Sequence, residues 1–548
     1  MKFVLISLLS LCLVTLLEAQ AVSREGASQH VVNIPGFPPI KFLFHGLLYL
    51  DDLLQKSQLL LSTTKKSSGS TKPSGSSSSA STTANPSSST AKPGASSSNG
   101  PATSIKPNGS TPTTQAPDSC PGCRAPLLNW GGNFNFSTQD IKYPTTTAGV
   151  QQLVKECKGK IRPVGTRHSF SEIANTNDTL ICLVHMNLIL SVDPSVPSVT
   201  VQAGITYTDL IPFLQSIGLA IPMMASLGEI SIAGAINTAV HGSGAGIGNL
   251  ATQVLGLQMV LADGSVVQYS KGQNDTELAA ATVGLGALGI VTQVTLQAQP
   301  TYNLAINVFE NMDMSVLDTQ LYNITHSGYA INMWSTFGTP GVLDQVWITT
   351  KVDSNGVNAY GNVSQLYGAP AATAQSSPIA ALPPTYVVPQ MGIVGPYYER
   401  LTDYDLGLSG QEGQQTQSEY YVDFDDFVPA LKALQTLSAE INAVVYVALF
   451  RITEKDELWM SPQYKKTTMA IHFSWQPKLD QVMALLPKIE AALAPFNPIP
   501  HWGKLYTLKP EQYLPLLPKY PEWREQVELH DPTHKFRNKW LEENIFVV

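Results

Sequence analysis

The run Gly284-Leu285-Gly286-Ala287-Leu288-Gly289 has the G-x-G-x-x-G spacing of a dinucleotide fingerprint. In a Rossmann unit that spacing follows a strand and opens a helix. Here it leads into the β-branched run Ile290-Val291-Thr292-Gln293-Val294, which reads as a strand. The turn therefore feeds a sheet, and a Rossmann-type nicotinamide site is rejected. Two further segments of the same texture precede it. Arg162-Pro163-Val164-Gly165-Thr166-Arg167-His168-Ser169-Phe170 reads as a strand running into a turn of consecutive backbone N–H groups, an arrangement that makes an anion-binding nest. Ala225-Ser226-Leu227 runs through Gly234 to His241-Gly242-Ser243-Gly244-Ala245-Gly246-Ile247-Gly248. Its glycines let a backbone lie against a diphosphate with no Cβ in the way.

These segments lie in the part of the chain that can fold. From about Leu127 to the end, short β-branched runs, helical stretches and glycine turns alternate. Ile161–Val164, Val199–Ala203, Val254–Leu261 and Ile290–Leu296 read as strands, and Thr147–Glu156 and Tyr207–Ser216 as helices. The mixture predicts an α+β architecture without internal repeats. Of 548 residues 43% are hydrophobic and 14% charged, enough for a large core and more than one domain. A formal charge of −8 with no basic run argues against nucleic acid as a partner.

Upstream the texture is different. Met1-Lys2, the apolar run Phe3–Leu17 and Ala19-Gln20-Ala21 have the layout of a secretory signal, residues 1–21, cleaved after Ala21. The apolar run is shorter than the roughly 20 residues of a transmembrane span. Within residues 22–61, Phe37–Leu61 is apolar but broken by Pro38-Pro39 and Asp51-Asp52, and is read either as a short docking or membrane-surface helix or as part of a propeptide. Ser62–Asp118 is dominated by Ser, Thr, Pro, Gly and Ala, cannot bury enough surface to offset its chain entropy, and reads as a disordered, O-glycosylated stalk. Asn-x-Ser/Thr acceptors at Asn108, Asn135, Asn177, Asn274, Asn323 and Asn362 fit an exported glycoprotein. Cys120, Cys123, Cys157 and Cys182 remain after the signal, an even number that permits disulfides in any of three pairings. Cys120-Pro121-Gly122-Cys123 has redox-pair spacing, but no βαβ pattern surrounds it, so a structural role is preferred.

Read in order, Asn129-Trp130-Gly131-Gly132-Asn133, Gly165-Thr166-Arg167-His168-Ser169-Phe170, Met224-Ala225-Ser226-Leu227, His241-Gly242-Ser243-Gly244, Leu285-Gly286-Ala287-Leu288-Gly289, His501-Trp502-Gly503-Lys504 and Lys535-Phe536-Arg537-Asn538 resemble the vanillyl-alcohol-oxidase type of FAD-binding domain. Within it the chain is similar to alditol (xylitol) oxidases and aldonolactone oxidases. The resemblance implies a two-subdomain FAD-binding domain over residues 119–300, an α+β cap or substrate domain over 301–500, and a segment 501–548 that returns to the FAD domain.

The resemblance further implies that His168, in the G-x-x-H-S turn, is bonded to the 8α-methyl carbon of the flavin. It places Gly165, Thr166, Arg167, Ser169, Phe170, Ser226, His241, Gly242, Ser243, Gly244, Gly289 and Ile290 around the FAD. Relatives with a second attachment use a cysteine in the His-Gly-Ser-Gly region. No cysteine follows Cys182, so a single bond is expected.

On the substrate side the resemblance carries catalytic roles onto Lys504, Arg451, Ser226 and Ser474. Oxidising an alcohol requires the hydroxyl proton to leave with the hydride, and cations at that oxygen stabilise its alkoxide character. Arg451 is a fixed charge; Lys504 either shares that role or, desolvated beside another cation, serves as base. One departure stands out. Alditol oxidases carry a glutamate two residues before the arginine, where it binds polyol hydroxyls, and this chain reads Ala448-Leu449-Phe450-Arg451. Losing that acceptor is expected to weaken polyol binding by about 1–3 kcal/mol if the hydroxyl is left buried and unpaired. No metal site is expected: His530 and His534 are spaced i, i+4, but Pro532 between them breaks a regular helix face. No Gly-x-Ser-x-Gly elbow for a hydrolase is present.

The expectation is a secreted carbohydrate oxidase that passes a hydride from a polyol to FAD, with molecular oxygen as acceptor and hydrogen peroxide as product. The rivals are an aldonolactone oxidase or dehydrogenase, and a catalytically weak flavin- or sugar-binding secreted protein, which Leu449 keeps open.

Overall fold

A computed structural model describes the backbone of residues 29–32 and 40–43, and residues 127–353, 356–404 and 415–547. The leader, the stalk, Asn108, Cys120 and Cys123 lie outside the described residues. Met1–Ser110 and Thr111–Val548 form two separate units. In the first, Gln29–Val32 pairs antiparallel with Ile40–Leu43. Ile40–Leu43 is thus extended where a helix was one of the two expectations.

The second unit begins with β1 (Asp140–Lys142), β2 (Ile161–Val164) and β3 (Thr179–Cys182), a parallel sheet in the order β1-β3-β2. Beside it stands an antiparallel sheet of β4 (Ile189–Asp193), β5 (Ser198–Gln202), β6 (Val254–Val260), β7 (Val266–Ser270) and β8 (Ile290–Gln297), ordered β7-β6-β8-β5-β4. Helices Thr147–Glu156 and Tyr207–Ser216 start where they are expected because Thr146 and Thr206 cap them, accepting from Gly149 N and Asp209 N. Their buried residues, Val150 and Val154 in the first and Leu210, Ile211 and Leu214 in the second, recur at helical spacing and enter one core with the sheets.

The chain then builds a larger antiparallel sheet from β9 (Asn303–Asp313), β10 (Ala330–Ser335), β11 (Val342–Lys351), β12 (Gly395–Pro396), β13 (Thr416–Asp423), β14 (Val445–Thr453), β15 (Thr468–Trp475) and β16 (Ile499–Pro500), ordered β12-β9-β11-β10-β14-β15-β13-β16. Strand β15 is buried along its whole length. On one face Ile471 and Phe473 pack in a core with Val482 and Leu486 of helix Leu479–Leu493. The alternating residues face the other way, and they build the site.

After β16 the chain goes back to the first two sheets. Lys535 O accepts from Ile161 N at 2.8 Å, and Asn538 Nδ2 donates to Asn175 O at 2.7 Å. The guanidinium of buried Arg162 ties this return to the glycine turn, donating to Phe536 O, Gly286 O, Leu285 O and Ile173 O at 2.6–2.8 Å. The turn takes positive φ at Leu285 and Gly286, and a Cβ at Gly286 would come within 3.1 Å of Arg162 Nη2. The glycine spacing therefore serves a tight turn packed on an arginine and followed by β8.

Candidate active site

A cleft runs between the first two sheets and the other face of the larger one. On the first side it is lined by the turn 165–169 that follows β2, together with Ser226, His241 and Gly289. Arg167 sits at φ 65°, which turns successive amides toward one side. Among the described residues the backbone N–H groups of Thr166, Arg167, His168 and Ser169 donate to no protein acceptor. The Nε of buried Arg162, another lining residue, is also unpartnered. Four lining amides and a guanidinium N–H without acceptors fit an anionic cofactor such as the diphosphate of FAD.

His168 is in the same turn, its side chain 12% exposed. Trp130 stacks on it at 5.1 Å between ring centroids and donates through Nε1 to Glu229 Oε1, which lies 3.8 Å from His168 Nε2. Burial, and then the charges of Lys504 and Arg167, push the His168 pKa down to about 3. The ring is neutral at any physiological pH.

Not every residue expected around the cofactor reaches this wall. Phe170 is behind it: its N–H donates to Gly503 O at 2.7 Å and its ring lies under Lys504 Nζ at 5.2 Å. Ile290 is inside β8, fully buried. Gly242, Ser243 and Gly244 turn away from the cleft toward the larger sheet. Gly244 N donates to Ile452 O at 3.0 Å, Ser243 Oγ donates to Ile331 O, and a Cβ on Gly242 would strike Met223 Sδ at 2.3 Å. Their small size serves close packing of one sheet system on the other.

The opposite wall is a grid of side chains. In an antiparallel pair directly opposed residues share a face. Asn332 of β10 opposes Arg451 of β14, and Trp334 opposes Leu449. Leu449 in turn opposes His472 of β15, which opposes Glu419 of β13, and Ser474 opposes Gln417. Trp334, Leu449, Arg451, His472, Ser474, Gln417 and Glu419 all line the cleft, with His501, Gly503 and Lys504 beyond β16. Arg451, Lys504, Ser226 and Ser474 are thus brought to one cleft with His168.

Glu419 organises this grid, and only its strand position hinted at it. Its carboxylate is 1% exposed and accepts from Arg451 Nη2 at 2.9 Å, from His241 Nε2 at 2.8 Å and from His472 Nδ1 at 3.2 Å. Burial alone raises its pKa, but the charges of His241, Arg451 and His472 outweigh that and hold it well below the usual carboxylate range. Arg451 is left with one fixed direction, and its Nη1 reaches Ser226 Oγ at 3.3 Å. Lys504 Nζ donates to Gln417 Oε1. Burial pushes the lysine down to about 8; Glu419 opposes that shift and Arg451 adds to it.

Gln417, Glu419 and His472 alternate on buried strands, a pattern that signals a polar stripe on a sheet face. Asp403, a lining residue 4% exposed in the loop before β13, had no such signal. Elsewhere, His530 pairs with Tyr269 and His534 with Glu528. Cys157 and Cys182 carry free thiols.

Residues 139–270 match the family model of the FAD binding domain, and residues 404–544 that of D-arabinono-1,4-lactone oxidase. An alditol oxidase of Streptomyces is 30% identical over 417 residues, spanning 76% of this chain and 98% of its own. An L-gulonolactone oxidase of Mus musculus is 26% identical over 441 residues, spanning 76% and 97%. In shape, the cholesterol oxidase from B. sterolicum matches with a TM-score of 0.59 at 14% identity, over 76% of this chain and 96% of that one. The architecture is therefore the α+β vanillyl-alcohol-oxidase fold.

Proposed function

The chain belongs to the alditol oxidase family of FAD-dependent oxidoreductases acting on CH–OH groups, and we propose that it is a secreted carbohydrate oxidase that converts a polyol CH–OH to the carbonyl and oxygen to hydrogen peroxide. The observation that carries this reading is the convergence of Arg451 and Lys504 on the cleft that also holds His168. FAD, when bound, supplies the two-electron acceptor for the C–H bond and delivers those electrons to oxygen.

The protein's own part is to bind the alcohol and move its hydroxyl proton. Arg451, aimed by Glu419, presents a permanent positive charge to the substrate oxygen. Lys504 Nζ, steered by Gln417 and titrating near 8, accepts the hydroxyl proton in its neutral form. Ser226 and Ser474 are further hydroxyls on the wall, oriented by Arg451 Nη1 at 3.3 Å and His472 Nε2 at 3.1 Å. His168 anchors the flavin through its 8α-methyl carbon, a bond that needs an unprotonated ring nitrogen; the pKa of about 3 supports it. Thr166, Arg167 and Ser169 offer their amides to the cofactor's phosphates.

Oxidation of an aldonolactone is the second reading, favoured by the match of residues 404–544. Turnover of xylitol, sorbitol, aldoses and aldonolactones, followed by peroxide release, separates the two. Peroxide from alditols supports the polyol reading; turnover confined to lactones overturns it. Yellow colour that stays with acid-precipitated wild-type protein, and leaves it in His168→Ala, supports the covalent anchor; colour released from both overturns it. Export is supported by the leader pattern and by the exposed acceptors Asn135, Asn177, Asn323 and Asn362. Expression in a secreting eukaryotic host tests it: a mature N-terminus at Val22 and a glycosidase-sensitive mass are expected, and retention of an uncleaved chain overturns it. Among the described residues no helix is long and apolar enough to cross a membrane.

A further inference from the structure

Leu449 stands on the cleft wall where the family resemblance implies a glutamate, and the structure shows what occupies its surroundings. Leu449 is 3% exposed and packs with Trp334, Ile379 and Val447. The rung that pairs Trp334 with Leu449 is thereby apolar. One rung away Asn332 opposes Arg451, and Asn332 Nδ2 donates at 2.7 Å to Oδ1 of Asp403. Asp403 is buried and lines the cleft, as does Ser226, whose hydroxyl accepts from Arg451 Nη1.

An ionised carboxylate has about four acceptor positions, and Asn332 takes one of them. A buried acceptor with unused capacity on a cleft wall is held ready for a donor from a ligand. Trp334, on the same wall, has a buried Nε1–H with no acceptor. A carboxylate that accepts and an indole that donates form a pair suited to hydroxyl groups, each of which does both.

We propose that Asp403 is a substrate-binding, specificity-determining residue that accepts a hydrogen bond from a hydroxyl neighbouring the one oxidised, replacing from a loop the acceptor missing at Leu449. The ligand it selects is a chain with vicinal hydroxyls. This rests on the polyol reading above, because it assigns the neighbouring hydroxyl of that substrate. Burial raises the carboxyl's pKa against the opposing effects of Arg451, Ser226 and Asn332, so the selection weakens as the pH falls and the group is protonated.

The test compares xylitol with 1,5-pentanediol, which has the same carbon chain and terminal alcohols but no internal hydroxyl. Affinities are measured on the holoenzyme under anaerobic conditions by perturbation of the flavin spectrum, and turnover is measured separately by peroxide release. Wild type is expected to bind xylitol more tightly. Asp403→Leu is expected to lose roughly 10- to 100-fold for xylitol and less than about threefold for pentanediol. Asp403→Asn, which keeps an acceptor, recovers part of the preference, and Leu449→Glu in the Asp403→Leu background restores it. An equal loss for both ligands, or an unchanged ratio, overturns the assignment, as does a wild type that binds neither. Binding of xylitol without peroxide overturns the oxidase reading instead, and the affinity ratio still decides the role of Asp403.

Discussion

The two walls of the cleft are built by different means. The wall formed by residues 165–169 and the turns around it works mainly through backbone: unpartnered amides, positive φ at Arg167, Leu285 and Gly286, and a buried arginine that satisfies carbonyls. The wall formed by β10, β14, β15 and β13 works through side chains on one face of a sheet, with Glu419 holding one arginine and two histidines. Backbone amides suit an anion that stays the same, because the turn fixes their directions whatever the side chains. Side chains can be exchanged one at a time, so this is where substrate choice can shift without disturbing the fold.

The contrast predicts that charge changes hurt the side-chain wall most and backbone changes the other. Glu419→Gln is expected to cost the most, about 3–5 kcal/mol of stability, because it leaves Arg451 buried without its carboxylate. Denaturant unfolding of the holoenzyme measures it, and a loss below about 1 kcal/mol would mean that the grid does not depend on this charge. Arg451→Ala is expected to lower kcat/KM about 10³-fold, or about 4 kcal/mol. A smaller effect on kcat than on KM would make Arg451 a binding group only.

Lys504→Met is expected to lower kcat/KM about 10²-fold. The neutral amine is the base, and it is populated above the lysine's pKa of about 8. Wild-type kcat/KM should therefore climb about tenfold per unit as pH rises toward 8 and then level off. That limb should vanish in Lys504→Met, and a wild-type profile that falls through pH 8 would instead make the protonated lysine the active form. The smallest effect belongs to the backbone wall. Gly286→Ala, at φ 66° against Arg162, is expected to cost about 1–2 kcal/mol of stability while leaving the substrate preference unaltered.

Much of the backbone wall is legible in the chain itself. Ile161–Val164, Thr147–Glu156 and Tyr207–Ser216 form over the residues expected, and β6 and β8 differ from expectation by one residue at an end. Caps, β-branched runs and glycine turns are local, so neighbours along the chain suffice to specify them. The side-chain wall is less legible. Arg451, Ser474 and Lys504 stand at positions to which the family resemblance gives a role, whereas Glu419 and Asp403 stand in no motif. Gly242–Gly244 adds a second role that the motif does not show: Met223 and the Tyr329 carbonyl pack so closely that a Cβ at either glycine would clash.

By itself, then, the sequence determined the α+β class, the strand-to-turn passages and the turn at 165–169 that leaves its amides unpartnered, because these depend on short-range backbone preferences. Only the tertiary structure decided that Glu419 would hold Arg451, that Gln417 would steer Lys504, and that Asp403 would stand beside Asn332 near the position Leu449 left apolar. Those partners come from different strands and loops. Antiparallel register and burial, which no stretch of chain specifies alone, bring them within hydrogen-bond reach.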